Sequence, residues 1–125
     1  MSVRRGVFGG LVVVCLAASL LTTGLAGAAT PPPNDSFSNA QVLPAQLSGS
    51  VTGTTDGATV QAGEPNHAGY SANQTVWYRF TASRTSTTYF SAWPNSEEYL
   101  VGAIAVYRGT SLSSLTPVTS VSSEQ

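Results

Sequence analysis

Residues 75–80 read Thr-Val-Trp-Tyr-Arg-Phe, and this run constrains the chain more than any other. Apart from Arg79, every member is β-branched or aromatic, the composition that suits a pleated, half-buried surface. Side chains alternate faces along a strand, so Val76, Tyr78 and Phe80 share one face and Thr75, Trp77 and Arg79 the other. The first triplet is the better core face, which leaves Trp77 beside Arg79, nearer solvent or under a loop. Just upstream, residues 63–69 hold two glycines, a proline and His67, the only histidine of the chain. Such a stretch is a turn-rich loop feeding the strand.

The rest of the chain is read around this strand. Residues 87–93, Thr-Thr-Tyr-Phe-Ser-Ala-Trp, form a second strand and residues 100–108 a third. The third carries Leu100, Ile104 and Val106 on one face and Val101, Ala103, Ala105 and Tyr107 on the other, so both faces are apolar and its place is central. Residues 37–43 give a short turn or first strand, and residues 47–55 a strand bent at Gly49 and Gly53. Asp56-Gly57 is a turn, with residues 58–62 continuing as strand into the His67 loop. Leu112 and Leu115 cap one end, and residues 116–121 begin a further strand. No segment after residue 28 has helical periodicity. Short strands separated by turn signals make the fold all-β, a small antiparallel β-sandwich of jelly-roll-like form.

The first 28 residues differ in kind. Arg4 and Arg5 give a positive start, residues 7–21 are uncharged and largely apolar, and Ala26-Gly27-Ala28 places small residues where a signal peptidase reads. The expectation is a cleaved secretory signal over residues 1–28. The run is short for a membrane span and contains Gly9 and Gly10. Cys15 lies inside the apolar run, so the exported part has no cysteine and no disulfide. Residues 29–36 are a proline-rich lead and residues 37–125 the sandwich domain. Arg79, Arg84 and Arg108 face six acids in the exported part, and the chain has no lysine. Without a basic patch to displace counterions, nucleic acid is not an expected partner.

An ordered set of short motifs carries a resemblance. Asn34-Asp35-Ser36-Phe37-Ser38-Asn39-Ala40, Gly53-Thr54-Thr55, Gly63-Glu64-Pro65-Asn66-His67-Ala68-Gly69, Val76-Trp77-Tyr78-Arg79-Phe80 and Ala105-Val106-Tyr107-Arg108-Gly109 follow one another here. In this order the chain resembles the pre-peptidase C-terminal-like β-sandwich domain of secreted bacterial proteins, over residues 32–121. The resemblance implies a non-catalytic extracellular accessory module, and no membrane association after signal cleavage. That family often has Asp-Thr before its late apolar strand, where this chain has Val101-Gly102, so no role of that aspartate carries over. Such modules also continue past the position of Val121 with a further strand, so the resemblance implies a domain incomplete at its C-terminal end.

Candidate chemistry is sparse. His67 and the many serines invite a triad, yet no serine sits in a Gly-x-Ser-x-Gly elbow, and His67 is better read as a loop residue bonded to local backbone. No catalytic residue is assigned. One histidine and no cysteine in the exported part exclude the usual structural zinc sites. Calcium prefers oxygen ligands, and Asp35 with Glu64 is the pair that would hold it. The plainer reading, a turn-capping Asp35 and a solvated Glu64, is preferred, so no cofactor is assigned. Trp77, Trp93 and Tyr70, with Tyr99 and Arg79, are candidates for an aromatic platform that binds an extracellular glycan or protein. The alternative has both tryptophans filling the sandwich or covering its open end, because a small β core needs large side chains. A structural fragment of a larger secreted protein, with no ligand of its own, is the second functional reading.

Overall fold

The structure is a computed structural model, and it describes residues 2–4, 11–18, 29–45, 48–93 and 102–122. Among these residues seven strands are present: β1 (Ser2–Arg4), β2 (Leu11–Ala18), β3 (Gln41–Val42), β4 (Thr75–Thr81), β5 (Tyr89–Ser91), β6 (Gly102–Arg108) and β7 (Thr116–Ser122). Two 3₁₀ turns, Phe37–Asn39 and Leu112–Ser114, are the only other regular elements among the described residues, and no α-helix occurs there. Among the described residues, no helix is long and apolar enough to cross a membrane. The fold is a small sheet-rich one. Five strands form one sheet in the order β3-β4-β2-β6-β7, and β1 pairs with β5 in a second.

β4 and β6 carry the core. Val76, Tyr78 and Phe80 from β4 join Ile104 and Val106 from β6 and Ala58 in one apolar cluster. Phe90, on β5 of the small sheet, packs edge-on against Phe80 with ring centroids 5.6 Å apart. This is the face that the period-two alternation assigns to the core. The opposite face is buried as well. Trp77, Ala105 and Tyr107 form a second cluster, covered by Phe37, Ala40, Leu112 and Leu115. Trp77 is 0% exposed, so of the two places expected for it, the covered one holds. The covering comes from chain that is not sheet at all: the 3₁₀ turns at Phe37–Asn39 and Leu112–Ser114.

Two strand expectations are corrected. Residues 48–62 form no strand. Val51 and Val60 are exposed, and the segment is fixed by side-chain hydrogen bonds rather than by a ladder. Its serines, threonines and glycines give a sheet nothing apolar to bury, so pairing would order the backbone for little return. The turn at Asp56-Gly57 is present, with Ala58 N–H donating to the Thr55 carbonyl at 3.0 Å and Gly57 at φ +74°. Gly53 allows close approach: a Cβ there would collide with the hydroxyl of buried Tyr78. The strand expected at residues 87–93 shortens to β5 (Tyr89–Ser91), in which Tyr89 and Ser91 are exposed and Phe90 alone turns inward. Residues 94–101, and with them Tyr99, Glu97, Glu98 and Leu100, lie outside the described residues.

The N-terminal segment enters the sheet. β2 lies between β4 and β6 and runs antiparallel to both, from Leu11 opposite Thr81 to Ala17 opposite Thr75 on one side, and from Val12 opposite Arg108 to Ala18 opposite Gly102 on the other. Its sequence, Leu-Val-Val-Val-Cys-Leu-Ala-Ala, is uncharged and nearly continuous in apolar residues. Such a run suits a strand buried on both faces as well as it suits a leader's apolar stretch, and periodicity alone does not separate the two. The cleavage position expected after Ala28 lies outside the described residues. At the far edge, β7 pairs antiparallel with β6, with a register shift between Val106 and Tyr107, where Pro117 enters the strand.

Candidate functional site

The loop before β4 folds back through one tight turn. His67 and Tyr70 exchange two backbone hydrogen bonds, each 2.9 Å, around Ala68 and Gly69. Both central residues have positive φ, +51° and +88°, as a two-residue turn of type I′ requires. The turn sends the His67 side chain inward, and its residue is 0% exposed.

His67 meets Tyr107 of β6. Their Nδ1 and hydroxyl lie 2.9 Å apart, and the Tyr107 hydroxyl donates to the Asn66 carbonyl at 3.1 Å. A phenol has one proton to give. Since it goes to Asn66, the imidazole carries its proton on Nδ1 and donates to the Tyr107 oxygen. Trp77 completes the group. Its ring stands edge-on to Phe37 at 5.1 Å and to His67 at 5.8 Å, and tilted to Tyr107 at 6.4 Å. Its indole N–H donates to Glu64 Oε1 at 3.3 Å, and Glu64 Oε2 is buried with no hydrogen-bond partner. Burial removes the imidazole from water and pushes the His67 pKa down from 6.5 to about 4. The histidine is therefore neutral in ordinary conditions.

A second set of bonds fastens the lead to this loop. Asn34 is buried, receives the Trp77 N–H on its carbonyl at 2.9 Å, and returns its side-chain amide to the Trp77 carbonyl at 3.1 Å. Asp35 accepts from the Thr59 backbone at 2.5 Å and the Thr59 hydroxyl at 2.8 Å. The Phe37 N–H donates to Gln61 Oε1 at 2.6 Å. The Asn34-Asp35-Ser36-Phe37 motif thus ties residues 58–61 and β4 together.

These positions revise the expected sites. Trp77 presents no surface to a ligand, so it leaves the proposed platform. Arg79 is exposed on β4, Trp93 is 74% exposed and Tyr70 is 57% exposed. Neither Trp93 nor Tyr70 makes a ring contact with Trp77. Asp35 caps no local turn with its side chain but reaches Thr59, and Glu64 turns in to the indole instead of standing in solvent. The two carboxylates are engaged by different partners, and no group of three or more His, Cys, Asp or Glu gathers among the described residues. His67 does bond local backbone, through its main chain, but its side chain reaches across to Tyr107, forty positions on. Sequence reasoning placed Tyr107 on its correct face and did not connect it to the histidine. The available signal was that this face of β6 holds two alanines and one tyrosine, a gap that something large must fill.

Comparison of the chain with protein-family models, with curated proteins and with solved structures finds no match in any of the three.

Proposed function

We propose that this chain is an exported, non-catalytic accessory module that works outside the cell. Residues 1–28 act as its secretory signal, and the two sheets close as a small β-sandwich of the pre-peptidase C-terminal-like kind. The carrying observation is the state of His67. The chain's one imidazole is sealed inside, neutral, and occupied with Tyr107, so it serves the packing of the fold rather than a reaction at the surface. The packing of Phe90 from the small sheet on Phe80 of the large one supports the sandwich.

Binding of an extracellular glycan or protein then falls to the exposed side chains Trp93 and Tyr70, with Arg79 as the cation on the same strand as Trp77. Exposed aromatic rings stack on sugar faces and anchor protein contacts. A glycan array and a matrix-protein screen with the secreted chain test this. A ligand whose binding is lost at least tenfold in Trp93→Ala, with melting temperature unchanged, is the expected result. The burial of Trp77 favours the second reading to the extent that it removes one of the two platform tryptophans. An absence of any ligand in both screens would leave the module as a spacer.

A further inference from the structure

We propose that the outward face of residues 87–93 is a glycan-binding strip, with Tyr89 and Trp93 as its two stacking platforms and an extended, uncharged polysaccharide chain as its ligand. The site rests on the accessory-module reading above and narrows it. Exposure alternates without a break along this segment: Thr87, Tyr89, Ser91 and Trp93 face out, while Thr88, Phe90 and Ala92 are partly buried. That is the side-chain period of extended chain, continued on both sides of β5. Tyr89 is 59% exposed and Trp93 74%.

The two rings are held from beneath. Phe90 meets Phe80 edge-on at 5.6 Å, and Phe90 and Ala92 pack on the apolar cluster of β4 and β6. A strand anchored in this way presents its outward residues already ordered, which lowers the cost of binding. The same contacts decide which residues share a ligand. β5 lies over the Phe80 face of the large sheet. Arg79 shares the Trp77 face by alternation. The turn that carries Tyr70 lies over that face too, since its His67 ring stands against Trp77 and Tyr107. The sheet therefore separates Trp93 from Tyr70 and Arg79, and the ring placed to serve the same ligand as Trp93 is Tyr89.

The chemistry of the ligand follows from the strip. Four residues of extended chain set the two rings roughly 13 Å apart. No single pyranose spans that distance, so the ligand is a chain of sugars. Ser91, on the same face between the rings, brings a hydroxyl that donates and accepts. Aromatic face, hydroxyl, aromatic face matches a polysaccharide, whose rings offer C–H faces for stacking and hydroxyl rims for hydrogen bonds. Residues 85–93 hold no charged side chain. A uronate or sulfated chain would bring anions to a strip without a cation, on an exported part in which three arginines face six acids. A stable protein interface covers about 800 Å² on each partner, well above the footprint of two rings and the hydroxyls beside them.

The test titrates the full chain with cellohexaose, chitohexaose and mannohexaose, with glucose and an oligogalacturonate as controls, by calorimetry and tryptophan emission. The chain has two tryptophans and Trp77 is buried, so a change in emission reports on Trp93. At least one neutral hexamer should bind and shift the emission to shorter wavelength, and neither control should. Tyr89→Ala and Trp93→Ala should each weaken binding roughly tenfold with melting temperature unchanged, the loss of one stacked ring. Tyr89→Phe keeps the ring and should restore most of the affinity. Val42→Ala, on β3 and 61% exposed in the parent, should bind as the parent does. Where Tyr89→Ala melts lower than the parent, Tyr89→Gln keeps the bulk without the ring and should show the same loss. Binding of none of the hexamers, tighter binding of the oligogalacturonate, parent affinity in Tyr89→Ala and Trp93→Ala, or loss of binding in Tyr70→Ala with Trp93→Ala unaffected each overturns the strip. A protein ligand taken through Trp93, with no glycan bound, overturns it too and leaves the accessory reading in place. Retention of the chain inside the cell would instead overturn the accessory reading and leave the glycan affinity standing.

Discussion

The two faces of the five-stranded sheet are buried by different means. One is closed by Val76, Tyr78, Phe80, Ile104 and Val106, with Phe90 laid on top, and its contacts are almost wholly apolar. The other is closed by Trp77, Tyr107, His67 and Phe37, and each polar atom brought in with those rings needs a partner. Apolar burial is non-directional and tolerates exchange of similar volumes. A buried polar network is directional, and the loss of one member strands the others. The first face should therefore respond to volume and the second to identity.

The largest expected effect is at the centre of the second face. Trp77→Ala should cost about 3–5 kcal/mol, through the cavity and the release of the Glu64 carboxylate from the indole N–H. Urea unfolding followed at 25 °C measures it. A loss below 1 kcal/mol with solvent-like tryptophan emission would mean that this face is not core, and the comparison would fail at its first step.

Acid should act on the same face. An unfolded histidine takes its proton near pH 6.5, whereas folded His67 refuses it until about pH 4. The folded state thus binds fewer protons in this interval. The stability held by neutral His67 is complete above pH 6.5 and is lost as the pH falls from 6.5 towards 4. Two and a half pKa units correspond to about 3 kcal/mol at the limit. The informative quantity is the difference between the parent and His67→Gln. That difference should shrink on acidification. Parallel curves for the two proteins from pH 7 to 4.5 would place the imidazole in contact with water.

Much of the first face was legible in the sequence, because strict alternation in residues 75–80 and 102–107 is the signature of residues that share a side. Val76, Tyr78, Phe80, Ile104 and Val106 follow from it directly. The second face was only half legible. Alternation puts Trp77, Ala105 and Tyr107 together, but their cover comes from Phe37, Leu112 and His67, on short turns whose own pattern has no period. Contacts between a loop and a strand forty residues apart leave no trace in local spacing. The strand β2 was hidden for another reason: a run of uncharged apolar residues satisfies a leader and a central strand equally. The Ser, Thr and Gly content of residues 47–55 misled in the opposite direction, since β-branched threonine favours strands only where something is buried.

A sharper form of the comparison uses substitutions that remove few atoms. Tyr107→Phe deletes the one oxygen that buried His67 Nδ1 bonds; the Asn66 carbonyl, on an exposed residue, loses the same donor. The expected cost is about 2 kcal/mol, within the range for stranding buried polar groups. Ile104→Val on the same strand deletes one methylene from the apolar face and should cost about 1 kcal/mol. If chemistry rather than volume governs the second face, the hydroxyl must weigh more than the methylene. Equal costs in denaturant titrations would show that the hydrogen-bond chain adds little beyond packing.

The smallest effect is expected where the second face meets the surface. Ala68 sits at φ +51° beside Gly69 at +88°, in the turn that aims His67 at Tyr107. An L-residue with a Cβ is strained in the left-handed region, by about 1 kcal/mol, and glycine is not. Ala68→Gly relieves that strain but also gives the unfolded chain more freedom, which offsets part of the gain. The net expectation is a stabilisation of about 0.5 kcal/mol, with the acid sensitivity of His67 unchanged because the turn keeps its shape. Gly69→Ala gives the opposite sign: a Cβ there meets nothing within 4 Å, so only backbone strain opposes it. Its cost should be about 1 kcal/mol. Thermal unfolding of the two variants reads both signs. Destabilisation by Ala68→Gly would show that the turn is held by its alanine side chain rather than by its backbone, and that the positive φ at residue 68 carries no strain to relieve.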